Sequence, residues 1–104
     1  MAFLKLYRNK LQENYNYLDQ LFKERNITWG VVSKLLCGNV IYLEELIKLG
    51  VTEIHDSRIS NLKKIKKLNP KIQTVYIKPP SKRNIEKIVK YADISFNTEI
   101  YTIQ

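Results

Sequence analysis

With a single cysteine, Cys37, the chain can form no internal disulfide and offers no cluster of thiolate ligands for a metal. Nor does its start, Met1-Ala2-Phe3-Leu4-Lys5, lead from a basic segment into a long apolar one, so no secretory signal is read there. Both absences suit a reducing cytoplasm, which is the expected location. No apolar run approaches the length needed to span a bilayer. The lone histidine, His55, has no metal-ligand partner at a useful spacing and reads as structural, so no metal site is expected. Length is scarce too: 104 residues fit one domain, 1–104, with one modest core and little room for idle loops.

What the chain does have is ordinary globular composition, 44% hydrophobic and 27% charged, with a net charge of +8. Such a balance raises nucleic acid as a partner, since clustered lysines neutralise phosphates and release counterions. Nine of the 18 basic residues fall in two groups, Lys63, Lys64, Lys66, Lys67 and Lys71, and then Lys82, Arg83, Lys87 and Lys90. Both lie opposite apolar stripes, where lysine serves solubility, so they read as solvated helix faces; a basic nucleic-acid-binding domain is the third functional reading.

Phe3–Tyr7 reads as a short strand, peripheral to the rest of the chain. Asn9 with Gln12 matches a capping box, and Leu11, Tyr15, Leu18 and Phe22 recur at helical spacing as far as Arg25-Asn26. A strand is expected over 27–33, where Trp29, Val31 and Val32 supply β-favouring bulk just before Lys34. Asn39 then caps a helix carrying Val40, Leu43, Leu46 and Ile47, which Gly50 closes. Val51–His55 is the next strand. Asp56 and Ser57 offer caps for a helix with Ile59, Leu62, Ile65 and Leu68 on its buried stripe, stopped at Asn69-Pro70. Ile72–Lys78 alternates as a strand should, and Pro79-Pro80 ends it. Ser81 caps a helix burying Ile85, Ile88, Val89 and Ala92; Asp93–Phe96 is a final short strand, and Asn97-Thr98-Glu99 a helix start.

The strand centres, Val31, Ile54, Val75 and Ile94, stand 23, 21 and 19 residues apart. Strands alternating with helices at this spacing require right-handed crossovers, hence an α/β fold with a parallel sheet. In such sheets ligands bind beyond the carboxyl ends of the strands. Those ends supply Ser33 and Lys34, then Asp56, Ser57 and Arg58, then Lys78, then Asn97 and Thr98, all on one rim.

Three ordered segments carry a resemblance: Val-Val-Ser-Lys34-Leu-Leu-Cys-Gly, then Asp56-Ser57-Arg58-Ile59 with Asn61, then Tyr91-Ala-Asp-Ile-Ser-Phe-Asn97-Thr-Glu99. They resemble the N-terminal barrel of the alanine racemase family, a pyridoxal-phosphate-dependent fold type III family, closest to its ornithine racemase branch. The resemblance implies the first half of a TIM (β/α)8 barrel. In that family the lysine ending the first barrel strand forms the Schiff base with pyridoxal 5′-phosphate, and Lys34 stands at that position. It also implies an amino acid substrate, racemised through proton transfer on both faces of the α-carbon. A full barrel takes eight strands and roughly 250 residues; four strands are expected here. The alternative reading is therefore a non-catalytic half-barrel module that self-associates or meets a complementing half, because an open half-barrel leaves sheet edges and apolar surface exposed.

A lysine amine at a strand end is held rigid and, partly desolvated, is activated for attack on a carbonyl. On the resemblance Lys34 is the candidate catalytic and cofactor-binding residue. Arg58 is a candidate for cofactor or substrate carboxylate, its planar fork suiting an anion, and Asn97 is a cap that can also serve as a rim ligand. Asp56 and Ser57 stand on the same rim but are also ordinary helix caps. Cys37 reads as a small buried filler beside the lysine, and Tyr15 and Tyr76 as core aromatics.

Overall fold

The computed structural model describes residues 5–97. A long first helix, α1 (Arg8–Glu24), precedes four strands joined by helices: β1 (Val31–Val32), α2 (Val40–Lys48), β2 (Glu53–Asp56), α3 (Ile59–Leu68), β3 (Gln73–Tyr76), α4 (Ile85–Tyr91) and β4 (Ile94–Ser95). All neighbouring strands are parallel and follow chain order, β1-β2-β3-β4. Each strand thus returns beside its predecessor through a helix, as a parallel sheet requires. The sheet with its helices is α/β, a partial run of βα repeats.

Register divides the sheet into two faces. Ile54 pairs with Val31 and Thr74, and Asp56 with Tyr76, on the face that meets the helices. There Leu43 and Leu46 of α2, Leu62 and Ile65 of α3 and Ile88 of α4 pack with Ile54, Ile72 and Tyr76 into one core. The other face carries Val32, His55, Val75 and Ile94 in register. It is largely open: Val32 is 51% exposed, Ile94 40% and Phe96, one residue beyond β4, 51%. Val75, flanked by His55 and Ile94, is nonetheless buried.

Local chemistry sets the helix ends. Asn39 accepts from the Ile41 and Tyr42 N–H groups at 3.0 and 3.3 Å, as expected of the cap of α2. Gly50 closes that helix at φ 98°, where a side chain would be strained. Elsewhere the expectations need correction. Lys5–Tyr7 form no strand, while Phe3 and Leu4 lie outside the described residues. Helix α1 begins at Arg8 with Tyr7 as its cap and no side-chain capping bond, so the Asn9–Gln12 box does not form. Of its stripe, Leu18 turns out to solvent. The strand expected over 27–33 contributes only Val31 and Val32 to the ladder. Trp29 leaves it because its ring lies 5.3 Å from both Tyr15 and Phe22 of α1, and its indole N–H donates to Asp19 at 3.1 Å.

Ser81 precedes a 3-10 turn, Lys82–Asn84, and makes no side-chain cap; Asn84 occupies the cap position of α4. That helix is turned so that Ile88, Tyr91 and Ala92 face inward and Val89 is 76% exposed, against the expected stripe. Val40 is likewise exposed at the start of α2. Thr98 and Glu99, expected in a helix start, lie outside the described residues. Among the described residues no helix is long and apolar enough to cross a membrane.

Candidate functional site

The carboxyl ends of the four strands share one edge, and each is followed closely by a polar or basic residue. Lys34 lies just past β1 and opens a 3-10 turn, Lys34–Leu36, with its side chain exposed. Ser57 and Arg58 follow β2, Ser57 half-buried and Arg58 exposed at the cap of α3. Lys78 follows β3 and is exposed; Asn97 follows β4, half-buried, its amide donating to the Ser95 carbonyl at 3.3 Å and hydroxyl at 3.1 Å. The rim expected from the sequence is therefore assembled on one edge, with Lys34, Arg58 and Lys78 open to solvent.

Asp56 ends β2 on the same edge, but it does not occupy the cap position of α3 expected of it, which falls to Arg58. Its carboxylate is fully buried on the helix side of the sheet. The Ser33 hydroxyl donates to Oδ2 at 2.9 Å, the Arg58 N–H to Oδ1 at 3.0 Å, and the Asn61 amide to both oxygens at 3.1 and 3.2 Å. Ser33 and Asn61 are themselves buried, at 1% and 4% exposure. Burying a carboxylate is costly unless donors replace its water, and here neutral donors from the end of β1, from α3 and from the backbone at its cap do so. Asp56 thereby fastens the end of β1, one residue before Lys34, to the end of β2 and the first turn of α3.

The far end of the lysine loop is fastened as well. Cys37 and Gly38 both adopt positive φ, 52° and 69°. Gly38 is packed tightly against Asn61: a Cβ there would collide with its Oδ1 and lie 3.2 Å from Lys64 Nζ. Lys64 in turn donates to the Gly38 carbonyl at 3.3 Å. Cys37, expected as a buried filler, is exposed, because the left-handed turn directs it away from the core. Asn61 carries a structural role that its place in the sequence pattern alone did not assign. Its signal was available, since a polar residue four before Ile65 stands on the buried stripe of α3.

Two further polar clusters brace the sheet. On the open face His55 Nε2 lies 2.6 Å from Glu53 Oε2, beside Gly30, where a Cβ would come within 2.6 Å of the imidazole. His55 also meets the Phe96 ring edge-on at 6.4 Å. At the amino edge Lys66 bonds Asp93 at 2.5 Å and the Ile72 carbonyl at 2.8 Å, and Asp93 accepts from the Thr74 N–H at 2.9 Å. Lys66 is thus not part of a solvated lysine face. Burial pushes the Asp93 carboxyl up, but bonds from Lys66 and the Thr74 backbone outweigh it and hold the group below the usual range. Desolvation raises the Tyr76 and Tyr15 hydroxyls, in keeping with their packing as core aromatics. The remaining lysines of both groups are exposed.

Among the described residues two pockets lie away from the rim. A cleft of about 420 Å³ opens at the opposite edge, between α1 and the amino ends of β1 and β2, and includes Tyr15, Asp19, Trp29 and Glu53. An open groove of about 580 Å³ runs between α3 and α4 past Lys63, Lys87, Lys90 and Tyr91. The first is a seam beneath α1 on the side away from Lys34, and ligands of parallel sheets sit at the strand carboxyl ends, so the rim is the candidate site.

The structure is thus a parallel βα sheet with an exposed lysine and an exposed arginine on its carboxyl edge, the edge at which ligands of such sheets sit. Among curated proteins, the chain is 36% identical over 96 residues to an ornithine racemase of Acetoanaerobium sticklandii. The matched region is 92% of this chain but 27% of the racemase, so the chain spans about a quarter of that relative's length. No family model matches the chain, and no solved structure matches it either.

Proposed function

We propose that the chain forms the first four βα units of a racemase-type TIM barrel acting on an amino acid, with Lys34 as the residue that carries pyridoxal phosphate. The observation that carries the reading is the coincidence of two facts. The chain is similar along nearly its whole length to an ornithine racemase, and its parallel sheet puts an exposed lysine directly beyond the carboxyl end of β1.

The donors on the rim fit the group. An accessible primary amine at Lys34 suits an aldehyde, and the exposed guanidinium of Arg58 on the same edge suits a phosphate or carboxylate. When bound, pyridoxal phosphate supplies an electron sink that makes the substrate α-proton acidic. Lys34 Nζ then serves as the group that exchanges a proton at the α-carbon on one face of the substrate. Asn97, held against Ser95, bounds the rim at β4, and Ser57 lies between the buried Asp56 and Arg58. Addition of pyridoxal phosphate is expected to give an absorbance band above that of the free cofactor, absent in Lys34→Ala. An equal band in that variant would refute the assignment. Turnover is a separate question, read by chiral analysis of ornithine or alanine after incubation.

A second reading is favoured by the open sheet face. Val32, Ile94 and Phe96 expose apolar surface around the Glu53–His55 pair, and exposed apolar patches mark association sites. On this reading a second copy of the chain covers that face. Light scattering is expected to give a dimer or larger assembly, shifted to monomer by Phe96→Asp; a monomer for the parent chain would dispose of the idea.

A further inference from the structure

We infer that Asn61 is a positioning residue for Lys34, acting through both ends of the loop that presents the lysine; the inference rests on the reading of Lys34 as the cofactor lysine. The loop leaves the sheet at Ser33 and returns to α2 at Gly38. Its first end is tied by the Ser33 hydroxyl to Asp56 at 2.9 Å and by the Ser33 N–H to the His55 carbonyl at 2.9 Å. Its second end is a left-handed pair, Cys37 and Gly38, of which Gly38 lies against Asn61 Oδ1 and its carbonyl accepts from Lys64 at 3.3 Å.

Asn61 touches the second end at Gly38 and reaches the first through Asp56. Its amide donates to both oxygens of the Asp56 carboxylate, and its carbonyl oxygen faces Gly38. It projects from α3, whose neighbours Leu62 and Ile65 are wholly buried, so the clamp is anchored in the core of the molecule. Lys34 is exposed and four positions before Gly38. A short turn pinned at both ends restricts where the amine can sit; freed at one end, it does not. Placement matters because a displacement of about 1 Å can cost on the order of a hundredfold in a reaction that depends on alignment.

The test uses the 104-residue chain, pyridoxal phosphate as probe, and borohydride. Lys34 Nζ bonds to the aldehyde carbon with loss of water, and hydride from borohydride reduces the resulting double bond to a stable secondary amine. Peptide mass mapping then gives the modified fraction at Lys34 relative to Lys78, an exposed lysine on the same edge but outside the clamp. The parent chain is expected to favour Lys34. In Asn61→Ala with a native circular dichroism spectrum, the Lys34-to-Lys78 ratio is expected to fall on the order of tenfold, part of the loss that misalignment can cause. An unchanged ratio in that variant overturns the inference while leaving the Lys34 reading intact. A parent chain without preference for Lys34 overturns the Lys34 reading instead, and the inference with it. Should Asn61→Ala fail to fold, Ser33→Ala, which removes one hydroxyl from the same clamp, is read by the same ratio: a fall supports the clamp and an unchanged ratio overturns it.

Discussion

Removing the Asp56 side chain tests whether the buried polar cluster is a coupled unit. In Asp56→Ala three donors lose their acceptor. The Ser33 hydroxyl can turn to the His55 carbonyl, already within 3.4 Å, and the Arg58 N–H belongs to an exposed residue at the cap of α3. The Asn61 amide, 4% exposed, has neither escape. An orphaned buried donor costs about 1–3 kcal/mol, and the vacated space adds a cavity contribution. The expected loss is about 2–4 kcal/mol, a large share of the 5–15 kcal/mol typical of a whole domain. That loss corresponds to a fall of roughly 10–30 °C in Tm for a chain of this size.

A double-mutant cycle makes the claim sharper. Asp56→Ala and Asn61→Ala each orphan the other's polar atoms, whereas the double variant removes both partners. It should therefore cost less than the sum of the single variants, by about 1 kcal/mol or more. Urea unfolding followed by circular dichroism, at fixed protein concentration, measures all four corners. Additivity within about 0.5 kcal/mol would mean that the two side chains do not act together and would refute the reasoning.

Other outcomes rest on single sites. Leu62→Ala, at a wholly buried position where three helices meet the sheet, is expected to lose about 2–5 kcal/mol in the same assay; a loss below this range would mean that α3 is not packed as described. Gly38→Ala puts a Cβ at φ 69° against Asn61. It should cost at least the roughly 1–2 kcal/mol of a left-handed conformation, and a neutral result in thermal melting would contradict the close approach. The Asp93 carboxyl sits below its ordinary 3.8 in the folded chain. Its contribution is therefore present above the unfolded value and is lost as pH falls through the folded one. Melting between about pH 5 and pH 2 should show a stability loss that Lys66→Met reduces; identical pH profiles for the two proteins would exclude the Lys66 bond as its source.

Alternation of strand and helix patterns made the parallel sheet and its order legible, because crossovers of this length leave few other topologies. Asn39 and Gly50 were equally readable, since each satisfies a local backbone need that its residue type meets directly. Trp29 was not. Its β-favouring bulk argued for a strand, but the ring is claimed by Tyr15 and Phe22 and by the Asp19 carboxylate, contacts that no local pattern contains. Val89 failed for a similar reason: α4 is short enough to rotate, and Ile88, Tyr91 and Ala92 fill its inner face without it. At the site the positions of Lys34 and Arg58 could be read from strand ends. The burial of Asp56 could not, because it depends on Ser33 and Asn61 converging from two other segments.

The central claim is that Lys34 is the lysine that carries pyridoxal phosphate. Borohydride reduction of the parent chain with one equivalent of cofactor, followed by peptide mapping, tests it most directly. The account predicts a pyridoxyl mass on the peptide containing Lys34 and a loss of most of the bound label in Lys34→Arg. Label spread over the exposed lysines of α3 and α4, with the same total in Lys34→Arg, would contradict it.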